Sequence, residues 1–79
     1  MKNFERIREL LALTLGVPES AITTETSREN LAEWDSMRHL ELMLALEEQF
    51  DLRLDVDDMA AVRDVAAIDR LLEERCPSV

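Results

Sequence analysis

Trp34-Asp35-Ser36-Met37-Arg38-His39-Leu40-Glu41-Leu42-Met43-Leu44-Ala45-Leu46-Glu47-Glu48-Gln49-Phe50 decides the fold. The run contains no glycine or proline and is rich in Leu, Met, Ala and Glu, all good helix formers. Its apolar residues recur at helical spacing along two lines, Met37, Leu40, Leu44 and Leu42, Leu46, Phe50. This predicts a helix over 36–50 with Asp35 as its N-cap. The line Leu42, Leu46, Phe50 is assigned to the core; Met37, Leu40 and Leu44 are expected to be only partly buried. Ser36 then opens the helix. There it can act as a cap for the unpaired N–H groups of the first turn. It can also be a point of attachment, because the dipole and those same N–H groups favour a phosphate, though on spacing alone the cap is favoured.

Upstream, Phe4, Ile7, Leu11 and Leu15, with Leu10 beside them, form an amphipathic stripe over 3–15. Asn3 can cap this first helix, Gly16 stops it and Pro18 bars continuation. Arg6 and Arg8 fall off the stripe and are expected in solvent. Residues 17–34 break every apolar period and read as a long connection, with a short helical turn at Pro18–Ala21 or Arg28–Ala32. Val17, Ile22, Leu31 and Trp34 would pin it down.

Downstream, Phe50, Leu52, Leu54 and Val56 alternate with charged residues, a strand period. No second strand exists to pair with this one, so the segment is expected to be an extended connector covering the bundle. Asp57 or Asp55 can cap a short third helix reaching about Val62, with Met59 and Val62 inward. Asp64 caps a fourth, whose period is Val65, Ile68, Leu71 and Leu72; Arg70 and Arg75 lie toward its C-terminal end, where cations are favoured. The fold class that follows is all-α: a small antiparallel four-helix bundle in one domain spanning 1–79, with three longer helices and a short third one.

Composition narrows the function. The net charge of −9 is uneven: nine acidic and two basic residues lie between Glu33 and Asp58. That excludes a nucleic-acid footprint, which needs basic residues, and suits partners with basic patches. No apolar run approaches the ~20 residues that span a membrane, and the N-terminus lacks a signal-peptide segment, so a cytoplasmic, monomeric protein is expected. Cys76 is the only cysteine and so forms neither an internal disulfide nor a zinc site. Ser36 and His39 are three apart, yet the single glycine of the chain leaves no nucleophile elbow. Asp51, Asp55, Asp57 and Asp58 lack the central glycine and terminal glutamate of an EF-hand loop.

Asp35-Ser36-Met37, then Leu40-Glu41-Leu42 and Leu46-Glu47-Glu48-Gln49-Phe50, resembles the recognition helix of acyl carrier proteins, and the likeness extends over nearly the whole chain. The resemblance implies that Ser36, beside Asp35, carries 4′-phosphopantetheine, installed by a phosphopantetheinyl transferase. It implies a tethered thioester rather than an enzyme. Met37, Arg38, Leu40, Glu41, Leu44, Glu47 and Glu48 would meet partners: acyl- or aminoacyl-loading ligases and acyl-processing enzymes with basic patches. Leu46, Leu54, Met59 and Val62 would line an acyl pocket. The chain departs from the pattern of many fatty-acid carriers at Trp34, Met37 and above all Arg38. A cation there should alter partner choice and points to a specialised, stand-alone carrier rather than the housekeeping one. Peptidyl carriers usually have Gly-Gly-His/Asp-Ser, which Glu33-Trp34 does not match. The alternatives are an aminoacyl or peptidyl carrier, or an unmodified acidic adaptor that binds a partner helix through Met37, Leu40 and Leu44.

Overall fold

A computed structural model describes residues 3–75. Cys76 lies outside them. Four α-helices are present: α1 (Phe4–Leu15), α2 (Ser36–Phe50), α3 (Val56–Ala61) and α4 (Val65–Arg75), with a 3-10 turn at Glu19–Ala21. The described residues form no strand beyond an isolated bridge between Ser27 and Asp64. The architecture is the expected all-α helical bundle.

The helices form for the reasons the sequence suggests. Gly16 ends α1 at φ 71°, a left-handed backbone that glycine adopts without strain, and its N–H bonds the Ala12 carbonyl. Asp35 caps α2, its carboxylate accepting the Arg38 N–H at 2.8 Å. Asp55, not Asp57, caps α3 through a reciprocal pair with Asp58. The Asp64 carboxylate accepts the Ala67 N–H at 2.7 Å in the first turn of α4.

Ile7, Leu11 and Leu15 of α1, Leu42, Met43 and Leu46 of α2, and Val65, Ile68, Leu71 and Leu72 of α4 make the core, joined by Ile22, Trp34, Leu54 and Val62. Each such side chain contributes about 1.5–3 kcal/mol when fully buried. The long connection is pinned as expected: Ile22 and Trp34 are buried, and Val17 and Leu31 pack against the core. Its middle is clasped to the start of α4. The Arg28 N–H reaches the Arg63 carbonyl and the Val65 N–H the Thr26 carbonyl, each at 3.0 Å.

Several local expectations need correcting. The buried face of α2 is His39, Leu42, Met43 and Leu46, one helical stripe, while Phe50 is only half-buried beneath the Arg6 guanidinium. Asn3 makes no side-chain cap on α1; instead its N–H and side-chain amide both donate to the buried Asp69 carboxylate on α4. Arg8 is half-buried, paired with Glu5 and, at 3.5 Å, with Glu19 of the 3-10 turn. Of the apolar residues in the extended connector, Leu54 is buried and Leu52 half-buried. Val56, placed at the first position of α3, points to solvent.

Candidate functional site at the start of the second helix

The long connection delivers Ser36 to the N-terminus of α2, where it is exposed. The capping role falls to Asp35: its side chain takes the Arg38 N–H and its carbonyl the His39 N–H. The Ser36 and Met37 N–H groups have no partner among the described residues, as expected for the first turn of a helix. The Ser36 hydroxyl is therefore not spent on the helix. Its one described contact is the Arg28 guanidinium, with Nη2 at 3.5 Å from Oγ, the outer limit of a hydrogen bond.

Behind the serine lies a buried polar relay. Trp34, 2% exposed, donates its indole N–H to His39 Nδ1 at 3.0 Å. An indole nitrogen can only donate, so Nδ1 is the accepting nitrogen and the imidazole proton sits on Nε2. Nε2–H then donates to the Met59 carbonyl of α3 at 2.9 Å. A neutral ring satisfies both bonds. Burial holds His39 below the ordinary imidazole range; the bond to Met59 pulls the other way, and the nearby Arg28 charge adds to the lowering. His39 is thus a buried brace between the root of α2 and α3. Both its nitrogens are engaged away from Ser36, so the two do not form a nucleophilic pair.

The other predicted site residues divide by role. Met37, Leu40 and Leu44 stand 76%, 55% and 55% exposed, an apolar strip running down α2 from the serine. Glu41 and Glu48 flank it in solvent. Glu47 is half-buried, and its carboxylate accepts the Leu54 N–H at 2.8 Å, so it ties down the extended connector as well as adding charge. Arg38 is not a free cation: Nη1 donates to the Leu15 carbonyl at 2.6 Å and lies 3.4 Å from that of Thr14, while Nε sits 3.9 Å from Glu41. It caps the C-terminal end of α1, where the dipole favours positive charge. Leu46, Leu54 and Val62 are members of the buried core, and Met59 packs half-buried against it. Asp55 and Asp58 are occupied with each other's backbone, and Asp58 also with Arg75 at 2.7 Å. The Asp55 N–H bond and the Arg75 side chain hold the Asp58 carboxyl below the usual range.

A surface serine at the start of a long helix, with a guanidinium beside it, is open to carrying a phosphate-linked group. Consistent with this, a family model for the phosphopantetheine attachment site matches residues 5–72. The chain belongs to that family of carrier proteins. Such domains hold 4′-phosphopantetheine covalently on a serine and are carriers, not catalysts. They work with a phosphopantetheinyl transferase and acyl-processing enzymes. The residues present fit such a group on Ser36: the hydroxyl is exposed, the first-turn N–H groups are not bonded within the described residues, and the Arg28 guanidinium lies 3.5 Å from Oγ. Among the described residues no helix is long and apolar enough to cross a membrane.

Two features of the site escaped sequence reasoning. Arg28 was placed only in a possible helical turn, because its reach to Ser36 depends on the clasp to α4. The Trp34–His39–Met59 relay left one faint signal: with His39 counted as apolar, positions 39, 42, 43 and 46 form an unbroken helical stripe.

Proposed function

We propose that Ser36 is the residue that bears 4′-phosphopantetheine and that the chain carries carboxylic acid intermediates as thioesters on that arm. The observation that supports this best is the division of labour at the α2 N-terminus. Asp35 caps the helix, and the Ser36 hydroxyl is left exposed and unspent. Within the matched span the other serines are less suited: Ser20 lies in the 3-10 turn and Ser27 in the clasp to α4.

The arm supplies a thiol to which acyl groups are joined; the chain itself supplies the anchor and the docking surface. Tethering raises the effective concentration of the cargo at each partner enzyme. The exposed strip Met37, Leu40, Leu44, rimmed by Asp35, Glu41 and Glu48, suits partners that combine an apolar contact with a basic patch. The cargo class we favour is an acyl group, fatty, polyketide or another carboxylic acid, because Glu33-Trp34 stands where peptidyl carriers have glycines. Arg38, bonded to the α1 carbonyls with its side chain 42% exposed, keeps its positive charge beside this surface and would bear on partner choice.

The test is the intact mass after incubation with coenzyme A and a promiscuous phosphopantetheinyl transferase. One phosphopantetheinyl group is expected on the wild type and none on Ser36→Ala. A folded wild-type chain that gains nothing, or a Ser36→Ala chain that still gains the group, overturns the reading and favours the unmodified adaptor or another serine.

A further inference from the structure

Arg28 is set apart from the other described arginines by its partner, the Ser36 hydroxyl. Arg38 is committed to the α1 carbonyls, Arg63 pairs with Glu29 and Arg75 with Asp58. Arg28 has no carboxylate within ion-pair distance among the described residues, in a chain with twice as many acids as Lys and Arg. Its guanidinium instead turns to the Ser36 hydroxyl. Its backbone is fixed on all sides. The Arg28 N–H bonds the Arg63 carbonyl at 3.0 Å, Ser27 bridges Asp64, and the Asn30 side chain takes the Ser27 N–H at 2.9 Å and donates to the Glu25 carbonyl at 2.9 Å.

We propose that Arg28 is a positioning residue for the phosphopantetheine arm, its guanidinium pairing with the non-bridging oxygens of the phosphodiester on Ser36. This rests on the reading of Ser36 as the attachment point. The present contact to Oγ is long and neutral. A phosphodiester would place anionic oxygens within reach, at the about 2.7–2.9 Å typical of charge-assisted N–H···O bonds, and a guanidinium can engage two at once. The new charge would otherwise sit beside Asp35 in the most acidic part of the chain. With Arg28 and the free N–H groups of α2 facing it, the root of the arm is drawn toward the clasped connection and away from the Met37–Leu40–Leu44 strip, which stays open for partners. The pair is exposed to salt, because the Debye length falls from about 8 Å at physiological ionic strength to about 3 Å at 1 M.

The experiment is phosphorus NMR on the holo protein, verified by intact mass to carry one group on Ser36, alongside holo Arg28→Gln and Arg28→Lys. In the wild type the phosphodiester resonance should be displaced from its position in the urea-unfolded chain and should move toward that position as NaCl rises to 1 M. Arg28→Gln should sit near the unfolded position at every salt concentration, and Arg28→Lys between the two. The Arg28 Nε–H signal should exchange more slowly with water in the holo than in the apo form. If the glutamine variant keeps the wild-type displacement and salt response, Arg28 does not hold the phosphate. If it fails to fold, the salt titration of the unsubstituted protein decides, and a resonance that does not move overturns the proposal. Failure to attach any group to Ser36 is a separate result that overturns the reading of the serine itself.

Discussion

Replacing His39 with leucine should cost far more than a one-residue change on a recognition helix suggests. Leucine fills most of the space but removes both ring nitrogens. The Trp34 indole N–H is then left in the core without its acceptor, since Trp34 is almost fully buried. An unsatisfied buried donor costs about 1–3 kcal/mol. The Met59 carbonyl also loses its donor, but Met59 is only half-buried, so water can replace the bond at small cost. A loss of about 2 kcal/mol is expected, a large share of the roughly 5–15 kcal/mol that stabilises a domain. With a urea slope of about 1 kcal/mol per molar, the lower end for small proteins, the unfolding midpoint falls by about 2 M. The cause is isolated by a double-mutant cycle with Trp34→Phe, followed by far-UV circular dichroism. In the phenylalanine background there is no indole N–H to strand, so His39→Leu should cost at least about 1 kcal/mol less. Additivity within about 0.5 kcal/mol, or an unchanged midpoint for the single variant, would refute the relay.

The same histidine gives the protein an acid-sensitive stability. Its folded pKa is lowered, so the unfolded chain binds the proton more readily. Its contribution is complete above the ordinary pKa near 6.5 and is lost as pH falls from there through the lowered folded value, so urea midpoints should decline over that window in the wild type and not in His39→Leu. Arg38→Asp should lower stability by about 1–2 kcal/mol, because it removes the α1 cap and sets a carboxylate against the same carbonyls; a melting temperature unchanged within error would show that the cap contributes nothing. Asp35→Ala should cost about 1 kcal/mol and Ser36→Ala a few tenths, and equal losses in chemical denaturation would mean that the serine shares the capping.

Much of this was legible in the chain. The limits of α2, the Asp35 cap, the Gly16 stop and the pinning of the long connection all follow from local chemistry, which acts over a few residues. The first helix, read over 3–15, and the fourth, read from its Asp64 cap and its apolar period, stand as Phe4–Leu15 and Val65–Arg75. What escaped depends on residues far apart in sequence. Arg38 looked like a surface charge until Leu15, 23 residues upstream, lay under it. Asp69 receives Asn3 across 66 residues. The burial of His39 is set by partners that arrive from Trp34 on one side and α3 on the other. The Ser36 neighbourhood was found through family likeness. Spacing alone leaves the serine's two roles open, and the Asp35 carboxylate takes the Arg38 N–H as its place before the helix predicts.

The clasp between residues 26–28 and 63–65 also sets an order of assembly during synthesis. A nascent chain that has emerged only as far as α2 already contains Ser36, but the segment holding Arg28 has nothing to close against. Met59, which braces His39, arrives later still than α2 itself. The surroundings of the serine are therefore completed only when the start of α4 is in place. Truncated or stalled products would expose the serine without its finished setting. An enzyme that reads that setting, rather than the local sequence, would act on completed chains and pass over unfinished ones.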